Sequence, residues 1–598
     1  MTPARRPLLL PRPRLVDLEP IALVVQQGEP SPTVDGSLPA QGYRLTIDPG
    51  GSVQVASGDP AGRFYAGRTL DQLRAGDPAG RLPVGVIEDW PDLQVRGVML
   101  DVSRTKVPTL ETLFELTDRL AAWKLNQLQL YVEHTFAYPG HQTVWEEADP
   151  FTAADLEKLR AHCAERHVEL VANQNTLGHM ERWLMHPRYA PLGIARGVVR
   201  GPMGMAVPAS TLDPANPASL ALVRELLGVL CEAVPGQRLH VGMDEPWDLP
   251  AARSGEWAGW LERLRALPET DGRELLVWGD VPALRGELLD PVPSGVTVCE
   301  WGYEENHPFD ARLGTLAEAG LRHWVCPGTS SWLSILGRAT NAVENCRSAA
   351  TAAANWSTEG MLVTDWGDFG HLQHLPVSDP GLAAAAAFSW CLESNRSLDT
   401  GELAELLDRH CYADGAGRLG AAVLALGDVH RLLPVQLPSI SALVLTLYFP
   451  QLPVTEAVFG DVSPAVFDSV SSAIDDALSG LRTSRPENEH GRRAVEEIET
   501  SARLVQLCCA DAAQRLGGDG TLASLSQATR IAFGGRLEEL EAEQRRLWLW
   551  RNRPGGLEES MAWLEHLGHC YERGVADGDW AGPLVERLRA IAPGGGRP

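Results

Sequence analysis

Hydrophobic positions between residue 96 and about residue 390 follow two alternating spacings. Short apolar runs of the kind that form strands buried on both faces begin near Val98, Leu128, Val168, Leu239, Leu275, Val296, His323 and Met361. Between most of these runs the apolar residues recur at a period near 3.6, which predicts helices. Eight strand–helix units in roughly 300 residues are typical of a (β/α)8 TIM barrel. We therefore predict an α/β barrel, with a doubly wound sheet as the alternative.

The segment before the barrel predicts a small α/β domain at residues 1–92. Residues 43–47 alternate between apolar and polar side chains as a strand does, and Pro49-Gly50-Gly51 turns the chain into a second strand at 52–55. A helix is expected after Gly62. Beyond the second strand of this segment, no further strand is predicted before residue 96.

The strand pattern ends at about residue 395, and helical periodicity replaces it. The helical stretches lie at 401–411, 415–433, 464–483, 490–516, 524–550 and 557–573. This change divides the chain into a small domain at 1–92, a barrel at 93–394 and a helical C-terminal domain at 395–598.

Composition and charge exclude several classes of function. The 598 residues carry a formal net charge of −26, which excludes nucleic acid as a partner because phosphate binding needs a basic surface. No apolar run approaches the ~18 residues of a membrane span, and prolines interrupt the short apolar stretch at the N-terminus, so we expect neither a membrane anchor nor a signal peptide. The ten cysteines form no CxxC pair, which favours a cytoplasmic protein without disulfides or zinc.

One short strand runs directly into two acids. Leu239, Val241 and Met243 form the apolar part, and Asp244 and Glu245 follow before a proline ends the strand. Taken alone, such a pair is more often a solvated turn than a site. Two acids at the carboxyl end of a buried strand are nevertheless costly unless they have partners.

The other predicted strand ends carry further polar and aromatic side chains. Barrel active sites lie at the carboxyl ends of the strands. Three of these ends repeat a tryptophan followed by glycine, at Trp278, Trp301 and Trp366. The C–H face of a sugar ring stacks on indole and its hydroxyls bond to carboxylates, so three repeats predict a sugar-binding pocket.

A set of motifs in this order resembles glycoside hydrolase family 20, the β-N-acetylhexosaminidases. The motifs are Arg96-Gly97-Val98-Met99-Leu100-Asp101-Val102-Ser103-Arg104, Leu177-Gly178-His179, His240-Val241-Gly242-Met243-Asp244-Glu245, Trp278-Gly279-Asp280 and Thr364-Asp365-Trp366-Gly367-Asp368. Residues 42–73 resemble the small domain that precedes the barrel in that family. The resemblance extends from about residue 40 to residue 390.

The resemblance implies a substrate-assisted mechanism, in which the 2-acetamido oxygen of the sugar attacks C1. It implies that Glu245 is the general acid and later the base, and that Asp244 accepts the acetamide N–H. Tyr303 would donate to the acetamide oxygen. His179 would support the acid; its usual partner in the family is an aspartate, and this chain has Glu133 after the second strand, so Glu133 is expected in that supporting role.

Substrate contacts follow from the same resemblance. Trp278, Trp301 and Trp366 would wall the sugar, and Trp332 follows the seventh strand as a further aromatic contact. Arg96 and Asp368 would bind sugar hydroxyls. Asp101 and Asp280 could equally be structural partners for Arg104 or for backbone amides.

The leading hypothesis is a retaining exo-β-N-acetylhexosaminidase that removes terminal N-acetylglucosamine or N-acetylgalactosamine. It needs an amino-sugar glycoside as substrate, no cofactor and no metal. Two alternatives stay open. One is a metal-dependent barrel lyase or isomerase, whose ligands could come from Asp101, Glu133, His179, Asp244, Asp280 and Asp365. The other is a non-catalytic amino-sugar-binding protein. The sequence leaves open whether the protein is a homodimer.

Overall fold

The computed structural model describes residues 7–201, 205–284 and 292–576, and its first part is a five-stranded sheet with one helix. The elements are β1 (Leu15–Val24), β2 (Ser31–Val34), β3 (Tyr43–Ile47), β4 (Val53–Ser57), α1 (Pro60–Ala75) and β5 (Leu82–Asp89). The sheet has the order β1-β5-β3-β4-β2. Both predicted strands are confirmed as β3 and β4. The prediction missed β1, β2 and β5; the four residues of β2 are all exposed, so that strand has no apolar face to detect.

The second part is a closed barrel of eight parallel strands. They are β6 (Val95–Asp101), β7 (Gln127–Tyr131), β8 (Glu169–Asn173), β11 (Arg238–His240), β12 (Glu274–Trp278), β13 (Val296–Trp301), β14 (Arg322–Cys326) and β15 (Gly360–Asp365). All eight predicted strands are confirmed. The last strand, β15, pairs in parallel with the first, β6, which closes the sheet and excludes the doubly wound alternative.

Helices surround the barrel, and a two-stranded hairpin projects between β8 and β11. The hairpin strands are β9 (Val198–Arg200) and β10 (Ala206–Pro208). The helices are α2 (Leu110–Ala122), α3 (Gln142–Trp145), α4 (Ala153–Glu165), α5 (Glu181–Leu184), α6 (Pro217–Ala233), α7 (Gly255–Arg265), α8 (Asp280–Leu284), α9 (Phe309–Glu318), α10 (Ala339–Asn355) and α11 (Asp379–Trp390). Thr152 and Asp155 form a reciprocal capping box that begins α4, as such a spacing predicts.

The third part is helical, as predicted, although residues 577–598 of the predicted domain lie outside the described residues. Its helices are α12 (Leu392–Asn395), α13 (Thr400–Leu407), α14 (Leu419–Asp428), α15 (Leu445–Tyr448), α16 (Glu456–Phe459), α17 (Pro464–Arg482), α18 (Glu489–Leu516), α19 (Gln527–Arg551) and α20 (Leu557–Arg573). These helices share one continuous hydrophobic core with the barrel, whereas the N-terminal sheet has a smaller core that closes on Trp390. Within the described ranges, no helix has the length and apolarity required to cross a membrane.

The start of α20 packs against two loops at the carboxyl end of the barrel. Gly556, which precedes the helix, has a φ of 78°, and a Cβ there would lie 1.9 Å from the carbonyl oxygen of Thr105. Ser560 in the first turn donates its hydroxyl hydrogen to the carbonyl oxygen of Gly370. Thr105 follows β6 and Gly370 follows β15, so this contact joins the C-terminal helices to the barrel mouth.

Gly556→Ala should therefore loosen α20 from the barrel. We expect a loss of about 2 kcal/mol or more, because alanine is strained at this φ and its Cβ overlaps backbone. Gly535→Ala in α19 is the matched control: its Cβ would meet nothing within 4 Å, and alanine favours a helix, so stability should rise by up to about 1 kcal/mol. Calorimetric unfolding of both variants checks this, and equal effects would contradict the described contact.

Candidate active site

A left-handed turn after β11 brings Asp244 and Glu245 to one place. Met243 and Glu245 have φ values of 73° and 45°, a backbone conformation that non-glycine residues adopt at a cost. His179 Nε2 lies 3.3 Å from Asp244 Oδ2 and 3.4 Å from Glu245 Oε2. The two neighbouring acids, which would point to opposite faces of a continued strand, thus reach the same imidazole.

The two acids differ in their surroundings. The side chain of Asp244 is 8% exposed and accepts a hydrogen bond of 2.7 Å from Asn175 Nδ2, whereas the side chain of Glu245 is 30% exposed and lines a cavity. Burial raises the pKa of Asp244, but His179, Asn175 and the Arg104 charge outweigh it and lower the pKa below its usual value. Asp244 is therefore a fixed anion behind an accessible Glu245.

The guanidinium of Arg104 lies among the acids at the mouth. Its Nη1 is 3.2 Å from Asp101 Oδ2, its Nε is 3.3 Å from Glu133 Oε1, and its Nη2 is 3.4 Å from His179 Nδ1. Glu133 Oε1 lies 3.9 Å from His179 Nδ1, too far for a hydrogen bond. Glu133 instead accepts a hydrogen bond from the Tyr131 hydroxyl, and Arg104 lies between it and His179 as a contact of both.

Three carboxyl groups at the mouth have raised pKa values. Burial is the main cause in each case: the pKa of Glu133 is about 7, that of Asp280 about 8 with the Asp244 and Glu245 charges adding to it, and that of Asp368 about 6. For His179, burial lowers the pKa, but the charges of Asp244 and Glu245 raise it well above its usual value. The site therefore keeps protons on several groups at neutral pH.

Asp101 and Asp280 hold other parts of the site in place: Asp101 contacts both Arg104 and backbone amides, and Asp280 contacts a backbone amide. Asp101 accepts hydrogen bonds from the backbone amides of Ser103, Arg104 and Gly367. Asp280 accepts a hydrogen bond of 3.0 Å from the backbone N–H of Glu245. It therefore fixes the strained turn that positions the second catalytic candidate.

The aromatic residues form a connected cluster beside the acids, in two layers. The Trp366 indole N–H donates to the Tyr303 hydroxyl at 2.8 Å, Trp301 stacks on Tyr303, and the Trp278 ring packs 5.7 Å from the Trp366 ring. Trp301 and Tyr303 are partly exposed, and Trp366 is 7% exposed. Trp278 and Trp332 are fully buried, which differs from the expected walls of an open pocket. Trp332 packs behind Tyr303 with ring centroids 5.0 Å apart.

The prediction that Arg96 binds sugar hydroxyls is wrong. Arg96 is the second residue of β6 and lies at the amino end of the barrel, opposite to the mouth. Its guanidinium is fully buried and donates to the carbonyl oxygens of Leu93 and Lys124 and to the side chain of Gln41. It joins the N-terminal sheet to the barrel, and Arg104 is the arginine that reaches the site.

A cavity of about 310 Å³ opens above Glu245, His179, Glu133 and Asp368. Several of its lining residues were not predicted: Arg104, Glu181, Arg182, Val207, Trp247, Phe369, Glu559 and Trp563. Trp247 follows the two acids by two residues, so its position in the motif could have indicated it. Glu559 and Trp563 belong to α20, and nothing in the local sequence indicates that this helix reaches the mouth.

The acids proposed as metal ligands do not converge on one point. Asp365 accepts hydrogen bonds from Thr329, Ser331 and Ser378, and Asp101 faces Arg104. At the mouth, Glu133, His179 and Glu181 bring ligand atoms within 4.8 Å of one another, but the guanidinium of Arg104 contacts two of the three residues. A cation already neutralises this group, which does not favour the metal-dependent alternative.

Comparison with known proteins assigns the N-terminal sheet and the first half of the barrel. The sequence model of the glycosyl hydrolase family 20 catalytic domain matches residues 94–266, and that of domain 2 of the same family matches residues 14–90. This part of the chain belongs to glycosyl hydrolase family 20. The matched ranges cover β1 to α7, including both acids, His179 and Arg104.

Individual relatives agree with the family 20 assignment. A β-hexosaminidase of Akkermansia muciniphila is 30% identical over 173 residues, 26% of this chain and 34% of the relative. Hexosaminidase D of Homo sapiens is 30% identical over 173 residues, 28% of this chain and 32% of the relative. The matched segment thus spans about a third of the length of these relatives. A solved glycoside hydrolase family 20 β-N-acetylglucosaminidase shares the fold, with a TM-score of 0.55 at 21% identity over 68% of this chain and 97% of that chain.

Asp280 predicts a pH dependence of stability. An acid whose folded pKa of about 8 lies above its unfolded value of 3.8 stabilises the fold most at low pH, and this contribution is lost as the pH rises through 8. Asp280→Asn keeps an acceptor for the Glu245 amide but removes the titration. The melting temperature of the variant should fall less than that of the wild type between pH 5 and pH 9. Asp271→Asn, at an exposed aspartate, is the control; parallel curves for all three proteins would contradict the prediction.

Proposed function

We propose that this protein is a retaining exo-β-N-acetylhexosaminidase that acts by substrate assistance. The observation that carries the proposal is the arrangement of Asp244 and Glu245 around His179, with one acid buried and charged and the other facing the cavity. A sugar that bears a 2-acetamido group presents its acetamide and its glycosidic oxygen close together. Two adjacent carboxyl groups, one buried and one facing the cavity, can serve these two positions at once.

In the first step, the acetamide carbonyl oxygen attacks C1 and the bond from C1 to the leaving oxygen breaks. Protonated Glu245 gives its proton to that oxygen, so the leaving group departs as an alcohol and an oxazolinium ion remains. Asp244 accepts the acetamide N–H and stabilises the positive charge that develops there. Its lowered pKa supports this role, because the group must be ionised to act.

In the second step, water attacks C1 and the ionised Glu245 takes the proton of the water. The bond from C1 to the acetamide oxygen breaks, and the acetamide is restored. The sugar leaves with the configuration at C1 that it had in the substrate, because C1 has been inverted twice. Glu245 ends protonated and ready for another cycle.

Tyr303 orients the acetamide in the proposed complex, and Trp366 in turn orients Tyr303. Tyr303 would donate its hydroxyl hydrogen to the acetamide oxygen. Burial raises the pKa of Tyr303 well above its usual value, so the hydroxyl stays protonated at neutral pH, and the Trp366 indole N–H orients its oxygen. Arg104, and not Arg96, would bind sugar hydroxyls at the mouth together with Asp368.

The proposed location is the cytoplasm. All ten cysteines are free and buried, which fits a reducing compartment, where buried thiols persist without disulfides.

The proposal predicts that the acetamide is required for turnover. The 4-nitrophenyl N-acetyl-β-glucosaminide should release 4-nitrophenol, and the plain 4-nitrophenyl β-glucoside should react at least about 10³-fold more slowly, because it lacks the internal nucleophile. A thiazoline mimic of the oxazolinium should inhibit competitively. Comparable rates on the two glycosides would contradict substrate assistance, and binding without turnover of either would favour the amino-sugar-binding alternative.

The two acids should fail in different ways when they are neutralised. Glu245→Gln removes the proton donor and should lower kcat by roughly 10²- to 10⁴-fold while leaving thiazoline binding close to that of the wild type. Asp244→Asn should weaken thiazoline binding as well, because this inhibitor carries the positive charge that Asp244 stabilises. Glu232→Gln, at an exposed glutamate on α6, is the control and should change neither. Equal losses of kcat and of thiazoline affinity in both variants would contradict the separate roles.

A further inference from the structure

The C-terminal helical domain forms part of the cavity. Glu559 and Trp563, one turn apart on α20, line the same cavity as Glu245. Arg182, which follows His179 by three residues, binds Glu559 through two parallel hydrogen bonds, one of them 2.8 Å long. The helix is therefore attached directly to the segment that carries the catalytic histidine candidate.

Close packing fixes the position of α20 against the loop that follows β15. Gly370 packs so closely that a Cβ there would lie 2.6 Å from Cδ1 of Trp563, and Trp563 itself packs on Phe369 at 5.4 Å between ring centroids. Phe369 directly follows Asp368, which lines the cavity. Thus α20 fixes the loop after β15 as well as adding its own side chains to the wall.

Trp247 is the exposed aromatic residue of the cavity wall. It is 49% exposed, and its backbone N–H donates to the carbonyl oxygen of Glu245 at 2.7 Å. An exposed indole at the edge of a cavity offers a flat apolar face on which a ligand ring can stack. Because Glu245 is the proton donor in the proposed function, a group that stacks on Trp247 lies on the leaving-group side of the broken bond.

The charge of the cavity restricts what can bind there. Its lining contains five carboxyl groups and two arginines, of which Arg104 already contacts Asp101 and Glu133, and the whole chain carries a net charge of −26. Glu559 also occupies Arg182, so that this arginine is already paired. An anionic leaving group would therefore find no unpaired arginine in this lining, whereas an uncharged sugar can stack on indole and donate hydroxyl hydrogens to carboxylates.

We propose that Trp247 and the Glu559–Trp563 turn of α20 form a leaving-group site that accepts an uncharged sugar and rejects an anionic one. This inference rests on the proposed function, since it assigns the group that Glu245 protonates. It gives the C-terminal domain a direct part in substrate selection. The substrate class is an N-acetylhexosamine β-linked to a neutral sugar.

Two disaccharides and one inhibitor test the proposal in the full-length protein. N,N′-diacetylchitobiose has a neutral leaving sugar, and N-acetylglucosamine β-linked to glucuronic acid has an anionic one. The thiazoline inhibitor has no leaving group, so its Ki reports only on the part of the site that binds the N-acetyl sugar. At low salt, kcat/KM for the neutral disaccharide should exceed that for the anionic one by about tenfold or more. Added salt should reduce this ratio of kcat/KM values.

Two variants separate the stacking contact from the charge. Trp247→Ala should lower kcat/KM for chitobiose by roughly 3- to 10-fold with an unchanged Ki for the thiazoline. Glu559→Gln releases Arg182 and should raise kcat/KM for the anionic disaccharide relative to the neutral one. Glu558→Gln makes the same charge change on the neighbouring residue, whose side chain is 79% exposed and binds Arg545, and it should leave the ratio unchanged.

The outcomes are distinguishable from a failure of the proposed function. If the wild type does not hydrolyse the 4-nitrophenyl N-acetyl-β-glucosaminide, the proposed function is wrong. If it does, but the two disaccharides react equally well, the leaving-group proposal is overturned. It is also overturned if the Trp247 and Glu559 variants change the Ki of the thiazoline as much as they change kcat/KM, because a purely structural role would affect both.

Discussion

The arrangement of the mouth depends on the partly buried guanidinium of Arg104. Its partners Asp101, Glu133 and His179 lie at or after the ends of β6, β7 and β8. The guanidinium carbon also lies over the rings of Tyr131 and Trp366, 4.7 and 5.0 Å from their centroids. Burying several carboxyl groups together is costly because each charge loses its hydration and repels the others. One planar cation with five N–H donors offsets this cost for the whole group, which a lysine could not do with the same geometry. The acids of the site can therefore be close together and still keep different protonation states.

The eight barrel strands could be predicted because parallel strands covered on both faces leave continuous apolar runs in the sequence. The C-terminal helices were predicted from periodicity alone, and the end of α20 was predicted to the residue. The edge strand β2 could not be found, since its residues are all exposed and have no apolar side. Strand β5 was also missed, although its Leu82, Val84 and Ile87 are buried, so a local apolar pattern indicates burial but does not identify every strand.

The sequence predicted only part of the site, because it does not show which way a side chain points or which distant segments of the chain come together. Arg96 and Arg104 belong to one motif, but the strand between them separates their side chains by on the order of 20 Å, so they lie at opposite ends of the barrel. Trp278 and Trp332 were recognised as aromatic residues near strand ends, but the sequence does not say which rings form the outer layer. Glu559 and Trp563 reach the mouth through contacts with residues about 190 to 380 positions away in the chain, which no local pattern records.

The N-terminal sheet and the C-terminal helices contribute to opposite ends of the barrel. The sheet is fixed at the amino end through Arg96 and through Lys124, whose ammonium lies 2.9 Å from Asp89. The helices are fixed at the carboxyl end, where α20 contacts the loops after β6 and β15. Only the second contact can influence chemistry directly, because the first lies a full strand length from the acids.

The close contact of Gly556 with Thr105 has a consequence for the order in which the protein matures on the ribosome. When residue 390 has been synthesised, every barrel strand and both acids exist, but residues 391–559 must still follow. Translation at about 5 to 20 residues per second makes this interval roughly 10 to 30 s. During that time a nascent chain has a barrel whose cavity lacks one wall, so both acids are in place well before the helix that completes the cavity around them.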